Sequence, residues 1–316
     1  MSIVETLTIE LPSGIHLACR VAGAADRPAL MFLHGFPEAA FIWDDWLLHF
    51  SMPEHGGYRC IAPNLRGYAG SSAPPNVDAY HPRLLVQDLV ELAQIVSEGP
   101  LAGLIAHDWG GAIAWNLASL EPQRIERLVI INAPHPASFV RELAHSPAQQ
   151  AASQYMNFLA RSDAPQRLKE NDYRRLWALF EGMGTCSGEA SWLSEALRER
   201  YRQVWAAGLH GPCAYYAASP LRPGSAQTLE SASRALAALP SVRAPTQVIW
   251  GLADSALLPG LLDGLDQWVP NLRVHRIEKA THWVIHERPR ELMNLVERFL
   301  QEARVSRPGD ARAADS

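Results

Sequence analysis

The chain has 316 residues and a mass of 34.9 kDa, enough for one large domain or for a core of ordinary size carrying an insertion. Hydrophobic residues make up 48% and charged residues 19% of it, which supplies a buried core and excludes wholesale disorder. With 28 Lys and Arg against 33 Asp and Glu, a net charge of -5 and a pI near 6.2, no basic excess is available to neutralise phosphates, so nucleic acid is not an expected partner.

In chain order, apolar alternation at Glu5 to Glu10 and Ile15 to Val21, separated by Pro12, Ser13 and Gly14, predicts an antiparallel hairpin. Continuous apolar runs at Ala29 to Leu33, Arg59 to Ala62, Leu101 to Ala106 and Leu128 to Ile131, each followed by a helix-length segment, predict parallel strands buried on both faces. After Ala133 the strand signal stops. Ala148 to Ala160, Asn171 to Phe180 and Trp192 to Ala207 carry apolar residues at helical spacing, which predicts a helical insertion. The polar stretch Pro220 to Ser233 reads as a linker back to the core. Strands resume at Thr246 to Trp250 and Leu272 to Ile277, and an amphipathic helix from Pro289 to about Ala303 closes the pattern.

The expected division is a first core segment at 1–133, a helical cap at 134–235, a second core segment at 236–304, and a disordered tail at 305–316 rich in Ala, Pro, Gly and charge. Cys19, Cys60, Cys186 and Cys213 are scattered, with no C-x-x-C pair and no neighbouring histidine at metal-ligand spacing. The start MSIVETLTIE is acidic where a signal peptide is basic, and no apolar run approaches the roughly 18 residues of a membrane span. A cytoplasmic protein without a membrane segment is expected.

Four segments carry chemistry. In Leu104-Ile105-Ala106-His107-Asp108-Trp109-Gly110-Gly111 an apolar strand runs through a small-residue turn into a helix, Ala112 to Leu120. The glycines allow helix and strand to approach closely and leave backbone N–H groups facing the turn. Asp108 there could act as a nucleophile or could cap the helix. His34-Gly35-Phe36-Pro37-Glu38 follows the strand ending at Leu33, Asp254 follows Val248-Ile249-Trp250, and His282 lies in Ala280-Thr281-His282-Trp283 after the last strand.

These segments, in this order, resemble the α/β-hydrolase fold, an α/β architecture with a mostly parallel eight-stranded sheet and an inserted helical cap domain. Aspartate in place of serine, the H-G-F-P loop and Arg66-Gly67-Tyr68-Ala69-Gly70-Ser71-Ser72 are similar to epoxide hydrolases, relatives of the haloalkane and fluoroacetate dehalogenases. The resemblance implies Asp108 as nucleophile, His282 as general base, Asp254 as the acid orienting it, and the backbone N–H groups of Phe36 and Trp109 as an oxyanion hole. It also implies a cis bond before Pro37. Asn132, where some relatives place the acid, cannot carry the charge.

A carboxylate nucleophile suits displacement at an sp3 carbon, giving an ester on the enzyme that water then opens. If the leaving group is an epoxide oxygen it needs acidic partners. Tyr155 in Ser153-Gln154-Tyr155-Met156 and Tyr216 in Ala214-Tyr215-Tyr216-Ala217 resemble the two cap tyrosines that supply them, with Tyr215 as the competing choice. Phe36, Trp109, Tyr155, Tyr216 and Trp283 are expected to line a site for a small apolar epoxide-containing substrate and water, with no metal or cofactor, in a monomer or homodimer. Halide release is the alternative, since the Trp109 indole could hold a halide, although Phe36 offers no second side-chain donor. A hydrolase-fold protein that binds a ligand without turnover is the third reading.

Overall fold

The computed structural model describes residues 3–184, 191–224 and 226–305. Its strands are β1 (Glu5–Glu10), β2 (His16–Ala22), β3 (Ala29–Leu33), β4 (Arg59–Pro63), β5 (Gly103–His107), β6 (Leu128–Ile131), β7 (Thr246–Gly251) and β8 (Leu272–Ile277). They form one eight-stranded sheet in the order β1-β2-β4-β3-β5-β6-β7-β8. β2 runs antiparallel to both of its neighbours, and every pairing from β4 to β8 is parallel.

The central strands are apolar throughout because both faces are covered. Along β3, Met31 and Leu33 enter one core while Leu30 and Phe32 enter the other, as the two-residue period of a strand requires. Helices α1 (Asp44–Ser51), α2 (Pro82–Val96) and α3 (Asp108–Leu120) lie in the first half of the chain. Between β6 and β7 come α4 (Pro136–His145), α5 (Pro147–Ala152), α6 (Tyr155–Leu159), α7 (Ala164–Gly182), α8 (Glu195–Ala207), α9 (His210–Ala218) and α10 (Ala226–Ala237). The last two are α11 (Val284–Glu287) and α12 (Pro289–Val305). Leu85, Leu89 and Leu92 of α2 and Ala114 and Leu117 of α3 pack in one core; Leu47 and Phe50 of α1 and Leu292, Val296 and Phe299 of α12 pack in the other.

Three expectations need correction. The stretch read as a linker, Pro220 to Ser233, holds the first two-thirds of α10, because Pro and Gly stop at Gly224 and Leu229 and Ala232 then recur at helical spacing and are buried. The single helix expected over Ala148 to Ala160 is broken at Ser153 and Gln154 into α5 and α6. α7 extends well before Asn171 but is interrupted there, with Asn171, Asp172 and Tyr173 at φ of 51, 52 and 59°. The tail from residue 306 and Cys186 lie outside the described residues; Cys19, Cys60 and Cys213 are buried free thiols.

The helices between β6 and β7 press closely on the core at the start of α9. A Cβ on Gly211 at the start of α9 would collide with the backbone of Gly67, and Tyr215 Oη donates to Arg66 O at 2.8 Å. Among the described residues no helix is long and apolar enough to cross a membrane.

Candidate active site

The carboxyl ends of β3, β5, β7 and β8 converge on one edge of the sheet, where open α/β folds bind ligands. β5 ends at His107, and Asp108 begins α3 with φ of 51°, the left-handed conformation of a sharp strand-to-helix turn. Gly35 after β3 lies so close that a Cβ there would strike the Asp108 carboxylate. That approach lets the Phe36 N–H donate to Asp108 Oδ1 at 2.7 Å, and the Phe36–Pro37 peptide is cis. Trp109 supplies the first N–H of the helix beyond Asp108, a group with no intrahelical acceptor.

His282 Nε2 lies 3.7 Å from Asp108 Oδ2, and its Nδ1 donates to Asp254 Oδ2 at 2.8 Å. Asp254 is fixed by three further donors. Ala256 N and Leu257 N reach Oδ1 at 2.8 and 2.9 Å, and Asn132 Nδ2 reaches Oδ2 at 2.7 Å. Burial alone would raise the Asp254 pKa, but the adjacent His282 charge and these hydrogen bonds bring it below the ordinary value. Burial likewise works to lower His282, yet the charge and hydrogen bond of Asp254, then the charges of Asp108 and Glu38, push it up to about 9.

Asn132 is the residue whose role sequence reasoning missed. It sits at the end of β6 with φ of 39°, and while its amide donates to Asp254 its Oδ1 accepts from Gly251 N at 2.9 Å. Asn132 thus ties the acid after β7 to the end of that strand. A second missed feature is Glu38, fully buried, which accepts from Tyr201 Oη at 2.7 Å, pairs with His286 Nε2 at 2.6 Å and faces His107 Nδ1 at 3.4 Å. His107 Nε2 in turn meets His282 O at 2.9 Å. Its signal was the acid ending His34-Gly35-Phe36-Pro37-Glu38.

A cavity of about 600 Å³ opens over Asp108 and is also lined by Trp109, Tyr155, Tyr215 and Tyr216. The Tyr216 ring packs edge-on against Phe36, Trp109 and Tyr155 at 5.3, 5.1 and 6.2 Å between centroids. The Tyr215 hydroxyl is instead occupied by the Arg66 carbonyl. Burial first, and then the Asp108 carboxylate among nearby groups, push the Tyr155 and Tyr216 phenols far above their ordinary value, so both keep their protons. Phe36 and Trp283 are not among the cavity-lining residues. Trp283 is buried against Phe180, His107 and His282, its indole donating to Phe180 O at 3.2 Å.

Among the described residues, the group spaced to hold a metal ion is His49, His55 and Glu297, between α1 and α12 in the other core's helical layer. It shares no residue with the site around Asp108.

A family model described as alpha/beta hydrolase fold matches residues 28–289. The AB hydrolase superfamily protein YfhM of Bacillus subtilis is 34% identical, over 92% of this chain and 96% of that protein. Epoxide hydrolase 2 of Caenorhabditis elegans is 30% identical over 89% of this chain and 76% of its own length. Among solved structures, an epoxide hydrolase of Bacillus megaterium bound to an inhibitor superposes with a TM-score of 0.85 at 29% identity, covering 93% of this chain and all of that one (100%). The chain belongs to the alpha/beta hydrolases and, within them, to the epoxide hydrolase family.

Proposed function

We propose that the protein hydrolyses an epoxide to a vicinal diol through an ester on Asp108. The observation that carries this reading is a carboxylate at the nucleophile turn sharing one apolar cavity with two phenols that keep their protons. Asp108 Oδ1 is engaged by the Phe36 N–H, which leaves Oδ2 to attack a ring carbon. The C–O bond breaks, and the departing oxygen is met by the hydroxyls of Tyr155 and Tyr216 and gains a proton. The product of this step is an alkyl ester of Asp108.

Ester formation removes the Asp108 charge, one of the influences holding the His282 pKa up. His282 thereby shifts toward its neutral form when a base is needed, its Nδ1–H held by Asp254. Water attacks the carboxyl carbon, giving its proton to Nε2, and negative charge develops on the oxygen facing the Phe36 N–H. Collapse breaks the bond between the carboxyl carbon and Oδ2, which leaves with the diol and takes the proton from Nε2; the re-formed Asp108 carboxyl loses its own proton, which restores the phenol that gave one up. One water is consumed in each cycle.

The test is whole-protein mass spectrometry of His282→Gln after exposure to styrene oxide. The expected result is a mass increase of one epoxide, mapped to Asp108. No adduct, where the parent protein forms diol, contradicts the covalent step. Halide release from haloalkanes by a Tyr155→Phe, Tyr216→Phe double variant, with no diol formed from any epoxide, favours dehalogenation.

A further inference from the structure

Resting on the hydrolase reading above, we propose that the preferred substrate carries its epoxide at the end of one long, unbranched apolar arm. From Asp108 the cavity follows α3. Ala112, Asn116 and Leu120, on successive turns, all line it, and the 13 residues of helix from Asp108 to Leu120 span ~18 Å at about 1.5 Å of rise per residue. Ala232, Ala235 and Leu236 of α10 also line it. Three backbone bonds cover ~3.5 Å when extended, so this length admits a chain of about 15 bonds.

On the side of Asp108 where His282 stands, the space is taken up by packed rings. Behind His282, the Trp283 ring lies 4.9 Å from the histidine and 4.5 Å from Phe180, and all three side chains are buried. The far end of the cavity reaches solvent, because Leu120 there is 49% exposed. Among the lining residues, Arg83 and Asp108 are the ones of fixed charge, and the Asn116 amide is tied to Ala112 O at 2.8 Å. A substituent threading this bore meets apolar walls along its length. An epoxide with a long group on each ring carbon has one bore for two arms.

The measurement is kcat/KM for diol formation from terminal epoxides of four, eight, twelve and sixteen carbons, and from the twelve-carbon internal epoxide bearing a pentyl group on each ring carbon. The expected values rise roughly two- to fourfold per methylene from four to twelve carbons and by less from twelve to sixteen, where the chain reaches the end of the bore. The internal isomer falls at least about a hundredfold below the terminal one. Asn116→Phe, obstructing the bore ~12 Å from the nucleophile, lowers the ratio of twelve-carbon to four-carbon kcat/KM at least tenfold. Ala235→Trp does the same from the α10 wall. A flat terminal series, equal rates for the two twelve-carbon isomers, or unchanged ratios in both folded variants overturns the one-arm inference and leaves the hydrolase reading standing. No diol from any epoxide, together with no adduct on Asp108 in His282→Gln, overturns the hydrolase reading itself.

Discussion

Replacing Asn132 by leucine removes both hydrogen bonds of a buried amide while keeping the number and branching of its side-chain heavy atoms. Asp254 loses a charge-assisted donor at 2.7 Å, and Gly251 N loses its acceptor at 2.9 Å. A charge-assisted bond contributes about 1.5–3 kcal/mol and an orphaned buried amide costs about 1–3 kcal/mol. Leucine at the φ of 39° found here adds strain of about 1 kcal/mol. The expected destabilisation is about 3.5–7 kcal/mol, read by urea unfolding, with kcat lowered about tenfold or more as Asp254 loosens and His282 is misaimed. Asn132→Asp keeps the acceptor for Gly251 and can replace the amide donor by a shared carboxyl proton, since two adjacent carboxylates do not both ionise readily. It should therefore retain more stability near pH 5 than Asn132→Leu, and lose that advantage as pH rises and the shared proton leaves. Stability of Asn132→Leu within about 0.5 kcal/mol of the parent, with kcat unchanged, would refute the positioning role.

Tyr155→Phe and Tyr216→Phe should each lower kcat/KM for an epoxide about 10–1000-fold, as loss of a donor to a developing oxyanion does, in stopped-flow or product assays; near-parental rates in both would remove the phenols from the mechanism. Asp108→Asn should lower the His282 pKa from about 9 toward the ordinary histidine value, because an anion is removed while Asp254 remains, and histidine-selective NMR titration reads this directly. The proton held on native His282 between the ordinary value near 6.5 and about 9 stabilises the fold below that window and is lost as pH rises through it, so His282→Gln should lose less stability than the parent from pH 6.5 to 9. Gly211→Ala forces a methyl into the Gly67 backbone and should cost at least about 2 kcal/mol in urea unfolding; parental stability would mean that α9 does not rest on that loop.

Much of this architecture was legible in the residues. The short, fully apolar runs at Ala29–Leu33 and Leu128–Ile131, each followed by a helix-length segment, pointed to strands covered on both faces, and both are strands at those bounds. Asp108, Asp254 and His282 were readable because each follows a strand, and parallel strands carry their ends to one edge. What escaped was set by tertiary packing. α10 intersperses its few apolar residues with Gln, Thr, Glu, Ser and Arg, and it gains its place by burying Leu229 and Ala232, which that local polarity concealed. Asn132 reads as a lost acid until β6 and β7 are side by side, when its amide is seen to bridge Asp254 and Gly251. Trp283 carried an aromatic signal that could equally serve a cavity wall or a buried stack, and packing against Phe180 decided between them.

The central claim, that the Asp108 carboxylate bonds to substrate carbon and is freed by water, is tested most directly by a single turnover in heavy-oxygen water with enzyme in excess over epoxide. The covalent route predicts a diol containing no heavy oxygen, its new hydroxyl having come from the Asp108 carboxylate, and one heavy oxygen in the Asp108 peptide. A labelled diol released from an unlabelled protein would show direct attack by solvent and contradict it.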